Sequence, residues 1–140
     1  MRLAVIGLGR MGRFYARTLA TLGTSVELVA VADPDAAARA ALQADFDIPN
    51  VFADPLAAFD LPDTDAVVIA TPTSSHAALV IAAAQSGKAI FCEKPLALSI
   101  EQTNAVLAAV DEARVALQVG FMRRFDPAFR QLHEAIQAGR

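Results

Sequence analysis

The run from Arg2 to Asp33 constrains this chain more than any other stretch. Leu3-Ala4-Val5-Ile6 is apolar, Gly7-Leu8-Gly9-Arg10-Met11-Gly12 breaks the run, a helical pattern continues to Leu22-Gly23, and a second apolar run ends at Asp33. The order is strand, glycine turn, helix, strand and acid. Each part has a physical task if the ligand is a dinucleotide. Gly7 lets the chain turn sharply, Gly9 lets a pyrophosphate approach the backbone, and Gly12 lets the helix lie close on the sheet. Arg10 and Met11 sit between the glycines, where the helix opens with free N–H groups and a positive dipole end. Asp33 follows Gly12 by roughly 20 residues, the distance at which a carboxylate accepts hydrogen bonds from an adenosine ribose. The same glycine spacing also suits a plain tight βα turn, or a nucleotide site of the methyltransferase type.

The rest of the chain repeats the alternation. An alanine-rich helix starts at Pro34-Asp35 and ends near Asp45, and a short strand follows around Val51-Phe52. Asp54-Pro55 opens a brief helix, with an acid at the N-cap and proline in the first turn. Asp65-Ala66-Val67-Val68-Ile69-Ala70 is continuously apolar after its acid, as befits a central strand covered on both faces. A helix then runs to Ser86 and stops at Gly87, followed by the strand Ala89-Ile90-Phe91-Cys92. Ser99-Ile100-Glu101-Gln102 is a capping-box pattern for a helix to about Arg114. Leu117-Gln118-Val119 is a last strand, and Asp126-Pro127 opens a helix through Gln137. Strands alternating with helices across short joints predict an α/β fold, a Rossmann-type doubly wound parallel sheet.

Two further joints belong to the same crevice, because ligands of such sheets bind beyond the carboxyl ends of the strands. Thr71-Pro72-Thr73-Ser74-Ser75-His76 is the first. His76 falls in a helix's first turn, where the dipole favours a neutral ring and where surface residues or caps are also common. Glu93-Lys94-Pro95 is the second. Proline after Lys94 restricts that lysine to extended geometry and permits a cis bond, which distinguishes it from an ordinary surface cation. Lys94 is the candidate for orienting a substrate hydroxyl or moving its proton. Cys92 reads as strand packing rather than as a nucleophile. His133 is assigned nothing.

Composition excludes several classes. The chain has 140 residues, 55% of them hydrophobic and 19% charged, enough for one compact core. Twelve basic against fifteen acidic residues give a charge of −3, with no basic block to attract nucleic acid. No apolar run approaches the ~20 residues that span a bilayer, so no membrane partner is expected. With a single cysteine the expectation is a cytoplasmic protein without a disulfide framework, and no metal-ligand cluster is apparent.

The sequence resembles the glucose-fructose oxidoreductase / inositol dehydrogenase family (Gfo/Idh/MocA) of NAD(P)-dependent oxidoreductases. The resemblance rests on Gly7 to Gly12, Asp33, Thr71-Pro72 with His76, Glu93-Lys94-Pro95, and Gly120-Phe121-Met122-Arg123-Arg124-Phe125-Asp126, and its final stretch is most like inositol 2-dehydrogenases. It implies that Gly7, Gly9, Arg10, Met11, Gly12, Asp33, Thr71, Pro72, His76, Glu93 and Arg123 surround the cofactor, with Lys94 between nicotinamide and substrate. It further implies hydride transfer between a secondary alcohol of an inositol-like polyol or sugar and a nicotinamide. Asp33 beside the ribose, followed by Pro34 rather than an arginine, favours NAD over NADP. Members of the family carry a second α/β domain that supplies substrate contacts and an aspartate-histidine pair. The expectation is therefore a dinucleotide-binding domain at residues 1–120, with 121–140 as a loop and helix leading toward a substrate domain absent from this chain. Alone, such a chain would be inactive as a dehydrogenase, and any oligomer would form through the missing domain. The alternative is a non-catalytic NAD(H)-binding sensor, scaffold or regulatory module.

Overall fold

The computed structural model describes residues 1–23 and 25–139, so Arg140, the end of the expected 121–140 segment, lies outside it. Strands β1 (Arg2–Ile6), β2 (Glu27–Ala32), β3 (Asn50–Phe52), β4 (Ala66–Ile69), β5 (Ala89–Cys92) and β6 (Leu117–Val119) form one sheet. Its order is 3-2-1-4-5-6 and every neighbouring pair is parallel. Helices α1 (Arg10–Thr21), α2 (Ala36–Asp45), α3 (Pro55–Phe59), α4 (Thr73–Gln85) and α5 (Ile100–Ala113) lie in the connections between strands. A 3-10 turn at Met122–Phe125 follows β6 and leads into α6 (Pro127–Gln137). The chain winds outward from β1 to β3, then resumes on the other side of β1 at β4. Between the carboxyl ends of β1 and β4 the connections diverge, which opens a crevice that no crossover fills.

Two apolar layers hold the sheet, divided by the alternation of side chains along the strands, which a register shift between Leu28 and Ala30 interrupts in β2. Ala4, Ile6, Val67, Ile69, Ile90 and Cys92 face α4 and α5, packing with Val80, Ala83 and Val106. Val5, Leu28, Val31 and Val68 face the other way, onto Leu8, Ala16 of α1 and Leu42 of α2. β1 and β4 are thus buried on both faces, which explains their unbroken apolar runs. β5 differs. Ile90 and Cys92 are buried, whereas Ala89 and Phe91 are only half-buried on the face that α1 leaves open. Tyr15 of α1 reaches across to meet the Phe91 ring edge-on, with centroids 5.4 Å apart.

Local chemistry sets the helix starts. Asp35, Asp54 and Asp126 each accept a backbone N–H of the first turn, and Ser99 accepts from Gln102. The capping box at Ser99 is only half reciprocal, because the Gln102 side chain accepts from Leu98 N instead of Ser99 N. Lys88 is buried, and its ammonium donates to the carbonyls of Leu61 (2.8 Å) and Thr64 (2.9 Å), fixing the turn before β4. α6 packs chiefly on the 3-10 turn and leaves Phe129, Leu132 and Ile136 exposed. Among the described residues no helix is long and apolar enough to cross a membrane.

Candidate functional site

A cleft of about 460 Å³ opens at the carboxyl ends of β1, β2 and β4. One wall is the glycine turn, through Gly7, Gly9, Arg10 and Met11; the floor at the β2 end is Ala32, Asp33 and Pro34; the opposite wall is Ala70, Thr71 and Pro72. Pro55 of α3, which the sequence marks only as part of a helix start, also lines the cleft.

The three glycines do different work. Gly7 has φ +87°, and a Cβ there would lie 2.8 Å from Thr71, so both the turn and the neighbouring loop require glycine. At Gly12 a Cβ would come within 1.7 Å of the Gly7 carbonyl oxygen, so its absence lets α1 lie against the turn. Gly9 is different: its φ is −65°, and a Cβ would meet nothing within 4 Å. The fold does not need glycine at position 9; the space in front of it is left for something outside the chain. Gly12→Ala is therefore a packing substitution and should cost about 3 kcal/mol in urea unfolding, as overfilled cores do.

Asp33 carries out a task in the loop as well as lining the cleft. Its Oδ2 accepts the Leu8 N–H at 2.5 Å and its Oδ1 accepts the Asp35 N–H at 2.8 Å, leaving about half the lone pairs of the carboxylate for a ligand. Arg39 lies beside it, donating from Nη1 to the carbonyls of Asp33 (2.6 Å) and Pro34 (3.1 Å). Proline at position 34 gave no sign of this cation, which folds back from one turn into α2.

The helix starts differ in the same region. The side-chain caps are on α2, α3, α5 and α6; α1, which begins at Gly9, and α4, which begins after Pro72, have no side-chain cap. Both N-cap residues, Gly9 and Pro72, line the cleft, and an uncapped helix start offers the free first-turn N–H groups and positive dipole end that suit a pyrophosphate. Gly9, the unfilled space before it and these N–H groups fit a dinucleotide.

Five residues expected around a cofactor or substrate stand elsewhere than on the lining of this cleft, Gly12 among them, packed against the glycine turn. His76 is 1% exposed, its ring nitrogens 2.7 Å from the Pro95 carbonyl oxygen and 2.9 Å from that of Thr71, so it ties the two crevice loops together. A neutral ring has one N–H for these two acceptors. Glu93 is occupied within the protein: Oε1 accepts the Tyr15 hydroxyl at 2.5 Å and Oε2 accepts the Lys94 N–H at 3.1 Å. Lys94 is exposed at the end of β5, the Lys94–Pro95 peptide is cis, and among the described residues no hydrogen bond reaches the ammonium. Arg123 lies on the 3-10 turn, paired with Asp126 at 3.1 Å and stacked 4.7 Å over the Phe129 ring. Burial, then the adjacent Glu93 charge, pushes the Cys92 thiol up to about 12, so it remains protonated and unreactive at neutral pH.

The sequence profile described as the oxidoreductase family with an NAD-binding Rossmann fold matches residues 1–121. The chain belongs to this family. It is 44% identical over 139 residues to the scyllo-inositol 2-dehydrogenase (NAD(+)) of Bacillus subtilis (strain 168), covering 99% of this chain and 41% of that protein. It is 41% identical to the inositol 2-dehydrogenase of Rhizobium meliloti (strain 1021), covering 100% and 42%. A scyllo-inositol dehydrogenase from Lactobacillus casei, solved with NAD(H) and scyllo-inositol, superposes with a TM-score of 0.93 at 29% identity over 99% of this chain and 41% of that one. The myo-inositol dehydrogenase from the same organism, solved with NAD(H) and myo-inositol, gives 0.90 at 36% identity, covering 99% and 42%. The chain spans about two-fifths of the length of these relatives.

Proposed function

We propose that this chain is the NAD-binding part of a dehydrogenase that moves a hydride between a secondary alcohol of an inositol-like polyol and the nicotinamide. The observation that carries the reading is Gly9, a glycine with an ordinary backbone conformation and empty space before it, at an uncapped helix end inside the cleft. Residues 1–120 form the nucleotide-binding unit, and 121–140 leave it toward the substrate-binding part that the longer relatives' sequences accommodate. Gly7, Gly9, Arg10, Met11, Thr71 and Pro72 bind the dinucleotide, and Asp33 takes the ribose hydroxyls. Gly12 and His76 hold the loops that carry these groups. When bound, the nicotinamide accepts the hydride. Lys94 orients the substrate hydroxyl and assists departure of its proton. Arg123, on the turn after β6, is the remaining cofactor contact of this reading.

Asp33 sets the cofactor preference, because a carboxylate repels a 2′-phosphate. NAD should bind at least tenfold more tightly than NADP, roughly 1.4 kcal/mol, in calorimetric titrations at one salt concentration. Asp33→Ala also removes the acceptor of the Leu8 N–H. Asp33→Asn keeps an oxygen for that N–H and removes the charge, so it should narrow the gap with less disturbance of the turn. Equal or tighter binding of NADP by the unaltered chain would contradict the assignment.

A further inference from the structure

Among the described residues no hydrogen bond reaches the Lys94 ammonium, but the backbone that aims it is pinned. Glu93 N donates to the Ile69 carbonyl at 2.9 Å, which seats the end of β5 against β4. The Glu93 side chain then turns back toward α1, where Oε1 accepts the Tyr15 hydroxyl at 2.5 Å, while Oε2 accepts the Lys94 N–H at 3.1 Å. Gly120 lies on the remaining side: a Cβ there would lie 3.1 Å from Phe91 and 3.4 Å from Glu93 Oε1, so glycine at this position leaves the carboxylate and the ring the room they occupy. The phenol is pushed well above its ordinary range by burial, then by the hydrogen bond to Glu93 and by that carboxylate's charge.

Tyr15 is on the same rigid helix as Gly9 and Gly12. Position 15 follows position 9 by about 9 Å of helix axis. One end of α1 therefore meets the expected pyrophosphate, and its next turns hold Glu93.

We propose that Tyr15 is a positioning residue for Lys94: its hydroxyl fixes Glu93, whose second oxygen fixes the Lys94 amide, so α1 sets the direction of the lysine relative to the cofactor. This rests on the dehydrogenase reading above and adds to it a residue that touches neither cofactor nor substrate. A fixed supporting contact of this kind is what holds a reacting group within a fraction of an ångström of its productive place.

Tyr15 is the only tyrosine and the chain has no tryptophan, so the emission comes from this one side chain. Hydrogen bonding to a carboxylate quenches a phenol; Glu93→Gln should raise the emission about twofold at neutral pH, and unchanged emission would overturn the contact. Tyr15→Phe keeps the ring and removes the hydroxyl. Hydrogen exchange at the Lys94 amide should quicken about tenfold in this variant, with the change confined to the segment around residues 93–96. Exchange that quickens throughout the sheet, or nowhere, would overturn the positioning role. In the complete enzyme, Tyr15→Phe should lower kcat about tenfold with NAD affinity unchanged, and Tyr15→Phe combined with Glu93→Gln should fall no further than the worse single variant. Normal kcat in Tyr15→Phe beside a crippled Lys94→Ala would overturn this proposal and leave the dehydrogenase reading standing. Normal kcat in Lys94→Ala would overturn both.

Discussion

Gly9→Val should abolish measurable cofactor binding while the protein stays folded. Nothing lies within 4 Å of the position a Cβ would take, and φ is −65°, so valine is accommodated by the protein itself. Its cost to the fold is that of a poor helix cap, about 1 kcal/mol. Its cost to the ligand is much larger, because two methyl groups stand where the pyrophosphate must touch the backbone. A fall in NAD affinity of about 10²-fold or more, roughly 2.7 kcal/mol, should appear in calorimetry, with the circular dichroism spectrum retained. Gly12→Ala is the matching control, since it should lose stability first. Retained NAD affinity in the valine variant would move the cofactor out of this cleft.

The second large effect is expected at Lys94, and on the proposed reading it appears only where a substrate-binding part is joined to this chain. As a surface cation its loss would cost no more than ~0.5 kcal/mol and change nothing else. As a group that orients the substrate hydroxyl, its replacement by alanine should lower turnover by about 10²-fold in an enzyme that joins this domain to a substrate-binding part. NAD affinity should change little, because the glycine turn and Asp33, the proposed NAD contacts, lie on other loops. The 140-residue chain by itself should bind NAD and show no polyol-dependent reduction. Robust inositol oxidation by the short chain would refute the division of the site between two parts. Normal turnover of Lys94→Ala in the joined enzyme would remove the lysine from the reaction.

What could be read from the sequence, and what could not, divides by the range of the interaction. Asp54-Pro55 and Asp126-Pro127 mark helix starts because a cap is an interaction over two or three residues, and the structure has both. The glycine turn, the parallel sheet and the crevice follow from spacing that hydrophobic periodicity makes visible. Side-chain pairings over longer distances leave no such trace. Tyr15 and Glu93 are 78 residues apart, and nothing about a tyrosine in an amphipathic helix announces a carboxylate at the end of β5. His76 was legible as a residue of the second loop but not as the strut between Thr71 and Pro95, since both of its partners are backbone carbonyls that any residue could supply. Arg39 escaped for a simpler reason: it sits several residues into α2, and only the fold-back of its side chain brings it to the Asp33 carbonyl. The 3-10 turn at Met122–Phe125 was missed because its four residues are too few to establish a period.

The position of β1 has a consequence for how the protein is made. Ala4 pairs with Ala30 on one side and with Val67 on the other. The first pairing closes within a single strand-helix-strand unit, and it brings the glycine turn against Asp33. The second must wait for a segment more than twice as far along the chain, and distant pairings of this kind slow folding. During synthesis, therefore, the acid-and-glycine half of the cleft can assemble well before the Thr71 wall exists. A dinucleotide that needs both walls should therefore leave the refolding rate unchanged and slow unfolding.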